Sequence, residues 1–335
     1  MRRTLATVVL ALTSGLAGGF LIAASDGPPP WAYGFPSAAG AAAPAAPTPA
    51  APAVAPAPDV TPRQLPGGAG PFTLAQIRDG FGPADWFPGD HPAMPDIVSH
   101  GKRPDVRACS LCHYPNGKGR PENAGVSGLP VAYFVQTMAD FKTEARKSAD
   151  PRKGNTNLMI AYAKAMTDDE VKAAAEYFAA MKWTPWIKVV ESATVPKPRI
   201  AGGMFLKLDG SGTEPIGDRI IEMPEETERT ETLRDPRSGF IAYVPVGSIK
   251  KGEALVTTGG GKTTRCAVCH GADLNGLGPV PGIAGRSPSY TVRQLFDTQR
   301  GTRKGVWADL MKPVVANLTN EDMLAIAAYT ASRTP

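Results

Sequence analysis

The fold is decided by a five-residue stretch that occurs twice, Cys109-Ser-Leu-Cys112-His113 and Cys266-Ala-Val-Cys269-His270. In each copy the two thiols are three positions apart, and the imidazole directly follows the second thiol. Residues spaced by three and four positions lie on one face of a helical turn. A C-x-x-C-H motif of this kind attaches a c-type haem: the thiols bond to two vinyl groups, and the histidine ligates the iron.

The chain has four cysteines, and the two motifs use all of them. The sequence therefore predicts two covalently attached haems. A structural zinc site would need two C-x-x-C pairs about 15–20 residues apart, whereas these pairs are 157 apart. A thioredoxin-type C-x-x-C occurs once and leaves the adjacent histidine unexplained. Two disulfides are also chemically allowed, but they do not account for two such histidines.

The similarity between the two copies extends beyond the motif. At the same offset of 157, Tyr133 corresponds to Tyr290 and Asp140 to Asp297; after a loss of five residues, Met159 corresponds to Met311. Two copies indicate duplicated domains rather than a solenoid. Thr167-Asp-Asp-Glu170 has the sequence of a capping box, and a matching helix is predicted to begin at Thr319.

The sixth iron ligand decides whether each haem is closed to substrate. Methionine opposite histidine raises the haem potential and fills the last coordination position. The repeat register selects Met159 and Met311, each eight residues before the threonine that begins the last helix. Other methionines and two histidines remain as alternatives, which are Met94, Met138, Met166, Met323, His91 and His100.

These residues resemble the class I c-type cytochromes, and the duplication resembles dihaem cytochrome c4 and related c553-type proteins. The resemblance covers about residues 95–183 and 247–333 and includes the Tyr133 and Tyr290 segments and the Met-x6-(Met/Leu)-Thr pattern. It implies electron transfer in the periplasm, with His113/Met159 and His270/Met311 as axial pairs. It also places Pro279–Gly282 in the proline-containing loop on the histidine side.

The first 70 residues carry an export signal and a linker. Arg2 and Arg3 precede an uncharged run from Leu5 to Ala24, which predicts a signal peptide over 1–24 or an uncleaved anchor. Either form places the remaining chain outside the cytoplasm, with a membrane tether if the segment stays. Residues 25–70 are rich in Ala and Pro and are expected to be disordered. The aromatic cluster Trp31, Tyr33 and Phe35 is the one feature in this linker that suggests docking.

The predicted fold is mainly α, with two tandem class I cytochrome c domains over 71–183 and 247–335. Between them, residues 184–246 are predicted to form a small β-rich insert with strands at Gly203–Leu208, Arg219–Met223 and Gly239–Val244. The favoured role of this insert is a spacer that fixes the two haem domains. The alternative is a docking module for a redox partner, suggested by its run of acids, which are Glu222, Glu225, Glu226, Glu228 and Glu231. The chain has 36 Lys+Arg and 31 Asp+Glu, a balance too even for a nucleic-acid binder.

The favoured function is a periplasmic carrier that passes single electrons from a dehydrogenase donor to a terminal oxidase or cytochrome acceptor. Such a carrier performs no bond chemistry. One alternative is a dihaem enzyme of the cytochrome c peroxidase kind, which would need one iron without its methionine. Dihaem thiosulfate dehydrogenases use a cysteine ligand, but here every cysteine serves attachment. A permanent electron-transfer subunit of a membrane or quinoprotein dehydrogenase is the other alternative.

Overall fold

The structure, a computed structural model, describes residues 27–37 and 59–335. The predicted signal peptide and the centre of the predicted linker lie outside these residues. None of the helices described is both long and apolar enough to cross a membrane.

Twelve helices follow one another along the described chain. They are α1 (Leu74–Ile77), α2 (Asp96–Ser99), α3 (Cys109–His113), α4 (Val131–Lys142), α5 (Gly154–Ala165), α6 (Asp168–Ala179), α7 (Thr227–Glu231), α8 (Ser248–Thr258), α9 (Ala267–His270), α10 (Pro288–Gln299), α11 (Ala308–Val315) and α12 (Asn320–Ala331). The two predicted terminal helices are confirmed as α6 and α12. Each begins with a complete capping box, at Thr167 and at Thr319.

Nine short strands accompany the helices. They are β1 (Ile187–Glu191), β2 (Thr194–Pro196), β3 (Pro198–Ala201), β4 (Met204–Lys207), β5 (Thr213–Pro215), β6 (Ile221–Pro224), β7 (Phe240–Val244), β8 (Gly276–Leu277) and β9 (Val280–Pro281). The three strands predicted between the copies are confirmed as β4, β6 and β7. In the sheet β1-β7-β6, β7 lies parallel to β1 and antiparallel to β6.

The two copies differ in how their last helix is packed. In the second copy α8 crosses α12 so closely that a Cβ atom on Gly252 would lie 2.0 Å from the carbonyl oxygen of Ala325. In the first copy the four-residue α2 lies against α6 instead. Phe178 of α6 is 1% exposed and anchors a separate core there.

The two copies contact each other through equivalent pairs of residues, so that each contact occurs once in each direction. Arg146 donates to the Tyr290 hydroxyl at 3.0 Å, and Arg303 donates to the Tyr133 hydroxyl at 2.8 Å. The backbones of Arg146 and Arg303 also form an antiparallel bridge. Both pairs obey the offset of 157 seen in the sequence, so the contact has approximate twofold symmetry.

The expectation of disorder from 25 to 70 is wrong at both ends of that range. Residues 30–33 form a 3-10 turn in which Trp31 is 5% and Tyr33 1% exposed. The Tyr33 hydroxyl donates to Asp297 at 2.7 Å, and Leu65 is buried in a separate cluster. The aromatic cluster gives this segment apolar surface to bury, although Ala and Pro dominate the segment's average composition. It docks within the chain, between the two copies.

Candidate haem site

The first motif forms α3, and its histidine points inward. The His113 Nδ1–H donates to the carbonyl oxygen of Ala124 at 2.8 Å. Burial lowers the pKa of His113, which favours the neutral imidazole. With Nδ1 committed to the backbone, the lone pair of Nε2 is available to a metal.

The second motif reproduces this geometry. The His270 Nδ1–H donates to the carbonyl oxygen of Pro281, also at 2.8 Å. Burial lowers the pKa of His270 as well, with a smaller contribution from Arg303. Ala124 and Pro281 are themselves 157 positions apart, so both histidines are oriented by the same backbone position of the repeat. Pro281 lies in the proline-containing loop that the resemblance placed on the histidine side.

A cavity of about 1360 Å³, counting the part open to solvent, lies beside the first motif. Cys109, Cys112 and His113 line it together with Met159. Met138 and Met166 line it too, so cavity lining alone does not separate Met159 from these two alternatives. Most of the remaining walls are apolar, which suits a flat aromatic macrocycle.

Three buried cations also line this cavity. They are Arg146, Lys153 and Arg293, which are 7%, 5% and 5% exposed. Burial and the neighbouring Arg293 lower the pKa of Lys153 to about 7. Glu122 and Asp297 line the same cavity, but within residues 27–37 and 59–335 no carboxylate lies within ion-pair distance of any of the three cations. Buried charges are normally paired, so this wall fits a group that brings its own carboxylates, as the haem propionates do.

The four thiols are free of disulfides. Burial raises the pKa of Cys109 to about 12 and that of Cys266 to about 11. Both sulfurs are therefore protonated at neutral pH and lack the character of redox-active thiolates. This matches cysteines that serve attachment.

The alternative iron ligands occupy different settings. Met311 is partly buried on α11 against the second core, where Cys266 also packs, whereas Met323 is fully buried inside α12. Both ring nitrogens of His91 are engaged, by Asp85 and by the Pro92 carbonyl. His100 is an exposed residue whose Nδ1 bonds to Ser99. Met94 packs on the edge of the first core.

The sequence predicted the motif residues of the site but missed the cationic wall and the two histidine-orienting carbonyls. The carbonyls could have been found from the repeat register, because residues 124 and 281 keep the offset of the motifs. Arg293 could not, because it reaches the first cavity from the second copy. The donor set, the apolar walls and the cations together fit a covalently attached haem.

Comparison with known proteins agrees with this chemistry. The cytochrome c family model matches residues 249–334, from the start of α8 to just beyond α12. Cytochrome c-554(548) of Halomonas halodenitrificans is 40% identical over 73 residues, which are 22% of this chain and 88% of that protein. Cytochrome c4 of Pseudomonas aeruginosa is 37% identical over 76 residues, which are 22% of this chain and 36% of that protein. The chain thus spans about a third of that cytochrome c4.

Another match covers more of the chain. The thiosulfate dehydrogenase electron acceptor of Thiomonas intermedia is 24% identical over 234 residues, 69% of this chain and 80% of that protein. The matched family implies covalently bound haem c, with iron as its metal. By its motifs, its core and its relatives, the chain belongs to the class I c-type cytochromes of the cytochrome c4 type.

Proposed function

We propose that this protein is a dihaem electron carrier, in which each copy of the motif holds one haem. The observation that carries the proposal is the equivalent Nδ1–carbonyl hydrogen bond of His113 and His270, 2.8 Å in both. If the protein held only one haem, one of these two oriented histidines would have no iron to ligate. The proposed domains are 71–183 and 247–335, joined by the insert 184–246.

The proposed attachment residues are Cys109 and Cys112 in one domain and Cys266 and Cys269 in the other. His113 and Met159 are the proposed axial pair of the first iron. Met159 lines the cavity beside the motif, on α5. It also shares the register of Met311, which would pair with His270. Met138 and Met166 line the same cavity without a counterpart methionine in the second copy.

Haem iron, when bound, supplies a one-electron Fe(III)/Fe(II) couple whose potential methionine ligation raises. The chain's own residues hold and insulate that couple. The backbone carbonyls fix the histidines, and the apolar walls exclude water. Arg146, Lys153 and Arg293 place positive charge at one wall of the first cavity. There they would pair with the haem propionates and hold the group in the cavity.

We further infer a periplasmic location and protein partners, a dehydrogenase as electron donor and an oxidase or another cytochrome as acceptor. The N-terminal run Leu5–Ala24 supports export. A thiosulfate dehydrogenase is one candidate donor, because two relatives are named as electron acceptors of such an enzyme. The even charge balance supports no role with nucleic acid.

Conservative substitution of the methionines tests the ligand assignment. In oxidised holoprotein, Met159→Leu and Met311→Leu should each remove half of the near-red absorption band of methionine–iron ligation. Met166→Leu is the matched control, because that side chain lines the same cavity, and it should keep the full band. Loss of half the band in Met166→Leu with none in Met159→Leu would contradict the assignment.

A further inference from the structure

The two haem motifs differ in how far solvent reaches them. Leu111 and Val268 occupy the same place in their motifs, yet Leu111 is 8% exposed and Val268 57%. The neighbouring Ser110 is 3% exposed, and Cys269 is exposed whereas Cys112 is partly buried. Because the thioether bonds fix one haem edge at these cysteines, burial of a motif also covers that edge.

The cover over the first motif comes from the insert. The Arg234 guanidinium donates to the carbonyl oxygen of Leu111, inside the motif, and lies 5.6 Å from the centre of the Tyr114 ring. The Asn116 side chain donates to the carbonyl oxygen of Pro236 at 2.7 Å. The loop 232–238, here called the cover loop, therefore binds both the motif and the turn after it.

The cover loop is also fastened on its other side. The Trp86 indole donates to the carbonyl oxygen of Leu233 at 2.8 Å, and Trp86 is 2% exposed. Arg237 forms two 2.7 Å hydrogen bonds to the Asp90 carboxylate. Held between residues 86–90 and the first motif, the loop is a fixed part of the fold rather than a free flap.

The second motif has an apolar surface instead of a cover. Leu277 is 59% exposed and lies on β8, which packs against α9, the helix that carries Val268. Exposed apolar side chains on two elements in contact, here Val268 on α9 and Leu277 on β8, mark an interaction site.

Charges in the segments next to the second motif and next to Met311 favour an acidic partner. Arg265, Lys304 and Lys312 are exposed, and within the described chain none of them forms an ion pair. Asp273 and Asp309 are the exposed carboxylates nearest to these cations in the sequence. Three cations against two anions, on a chain with 36 basic and 31 acidic residues, make these segments mildly positive, and positive charge steers partners that carry negative charge.

We propose that redox partners dock only on the second motif, because the cover loop closes the first motif to them. The partner's own contact surface would be an apolar patch with an acidic rim. This inference rests on the proposed dihaem function and adds to it the domain at which electrons enter or leave the protein. Electrons from or to another protein would pass at the second domain, and the first would exchange them through the contact between the domains.

Flavodoxin, a small acidic one-electron donor, is a suitable probe. Its hydroquinone loses one electron to become the semiquinone, and one ferric centre of the holoprotein becomes ferrous. Val268→Glu places a carboxylate in the centre of the proposed surface. Leu208→Glu is the matched control, since Leu208 is 45% exposed on the insert, away from either motif. Haem content and the near-red band of each variant are measured first, to separate docking from the proposed function itself.

Stopped-flow reduction of wild type and both variants then gives the second-order rate constants, and calorimetric titration with oxidised flavodoxin gives the affinities. Val268→Glu should lower the rate constant and the affinity about tenfold, and Leu208→Glu less than twofold. Equal effects of the two variants, or no effect of Val268→Glu, would overturn the docking proposal while leaving two intact haems. A protein with fewer than two haems would overturn the dihaem function instead.

Discussion

Asp322 joins three parts of the second domain, and its removal should weaken that domain in a pH-dependent way. The Asp322 carboxylate is fully buried as the third residue of α12. It accepts from the Lys262 ammonium at 2.8 Å and from the Thr319 backbone N–H at 3.1 Å. The Lys251 ammonium of α8 lies 3.2 Å away. Lys262 immediately precedes the second motif region, so the carboxylate holds α8, α12 and that loop together.

The size of the effect follows from the pKa of this carboxyl group. Burial opposes its ionisation, but the ammonium of Lys262 and the Thr319 N–H outweigh burial and lower the pKa from 3.8 to about 2. A shift of nearly two pKa units corresponds to about 2 kcal/mol of folding free energy. Because the folded-state pKa is the lower one, this stabilisation is present above pH 3.8 and is lost as the pH falls through about 2.

Urea unfolding of the holoprotein, followed by circular dichroism from pH 7 to pH 2, measures this contribution. Asp322→Asn should unfold with about 2 kcal/mol less free energy than wild type at pH 5–7, and the gap should close towards pH 2. Glu170→Gln is the control: Glu170 holds the same place in α6, where 27% of its side chain is exposed. Glutamine can still complete the capping box there, so this variant should change stability by less than about 0.5 kcal/mol. If the difference in unfolding free energy between wild type and Asp322→Asn stayed constant down to pH 2, the electrostatic explanation would be refuted.

Two further predictions concern packing around the second domain. Gly252→Ala should destabilise the protein by about 2–3 kcal/mol in urea unfolding, because the new Cβ would lie 2.0 Å from the Ala325 carbonyl oxygen. Gly154→Ala is the control, because nothing lies within 4 Å of a Cβ atom there. Equal stability of the two variants would rule out the close contact at Gly252. The Glu222 carboxylate, 3% exposed, accepts from the Ser287 hydroxyl at 2.9 Å and the Ser289 N–H at 2.6 Å. Glu222→Ala should therefore lower the free energy of unfolding in urea by about 2 kcal/mol. Glu222→Gln keeps one acceptor oxygen and should lower it by about half as much. A larger loss of stability in Glu222→Gln than in Glu222→Ala would contradict this role of the carboxylate.

Local signals in the sequence predicted a large part of the site and of the helices. The C-x-x-C-H spacing, the capping boxes at Thr167 and Thr319 and three strands of the insert each depend on residues close together in the chain. The repeat register added Met159 and Met311, which stay predictions. Each of these features is decided within a few residues, or by comparing one copy with the other.

Contacts between distant segments could not be predicted in this way. Arg234 reaches Leu111 across 123 positions, and Tyr33 reaches Asp297 across 264. Nothing in the composition of either segment indicates its partner. The acids of the insert do not form one surface: Glu222 is buried against the second domain, and Glu231 pairs with Arg199. The spacer interpretation of the insert is therefore favoured over the docking alternative. Side-chain burial, rather than charge count, decides which acids face a partner.

The central claim is that both irons are closed by histidine and methionine. The most direct measurement is the absorbance of the near-red methionine–iron band in the oxidised wild-type holoprotein, divided by the total haem content. Two equivalents of the band for two haems per chain are the predicted result. One equivalent, or none, would mean an open or differently ligated iron and would contradict the assignment of a carrier.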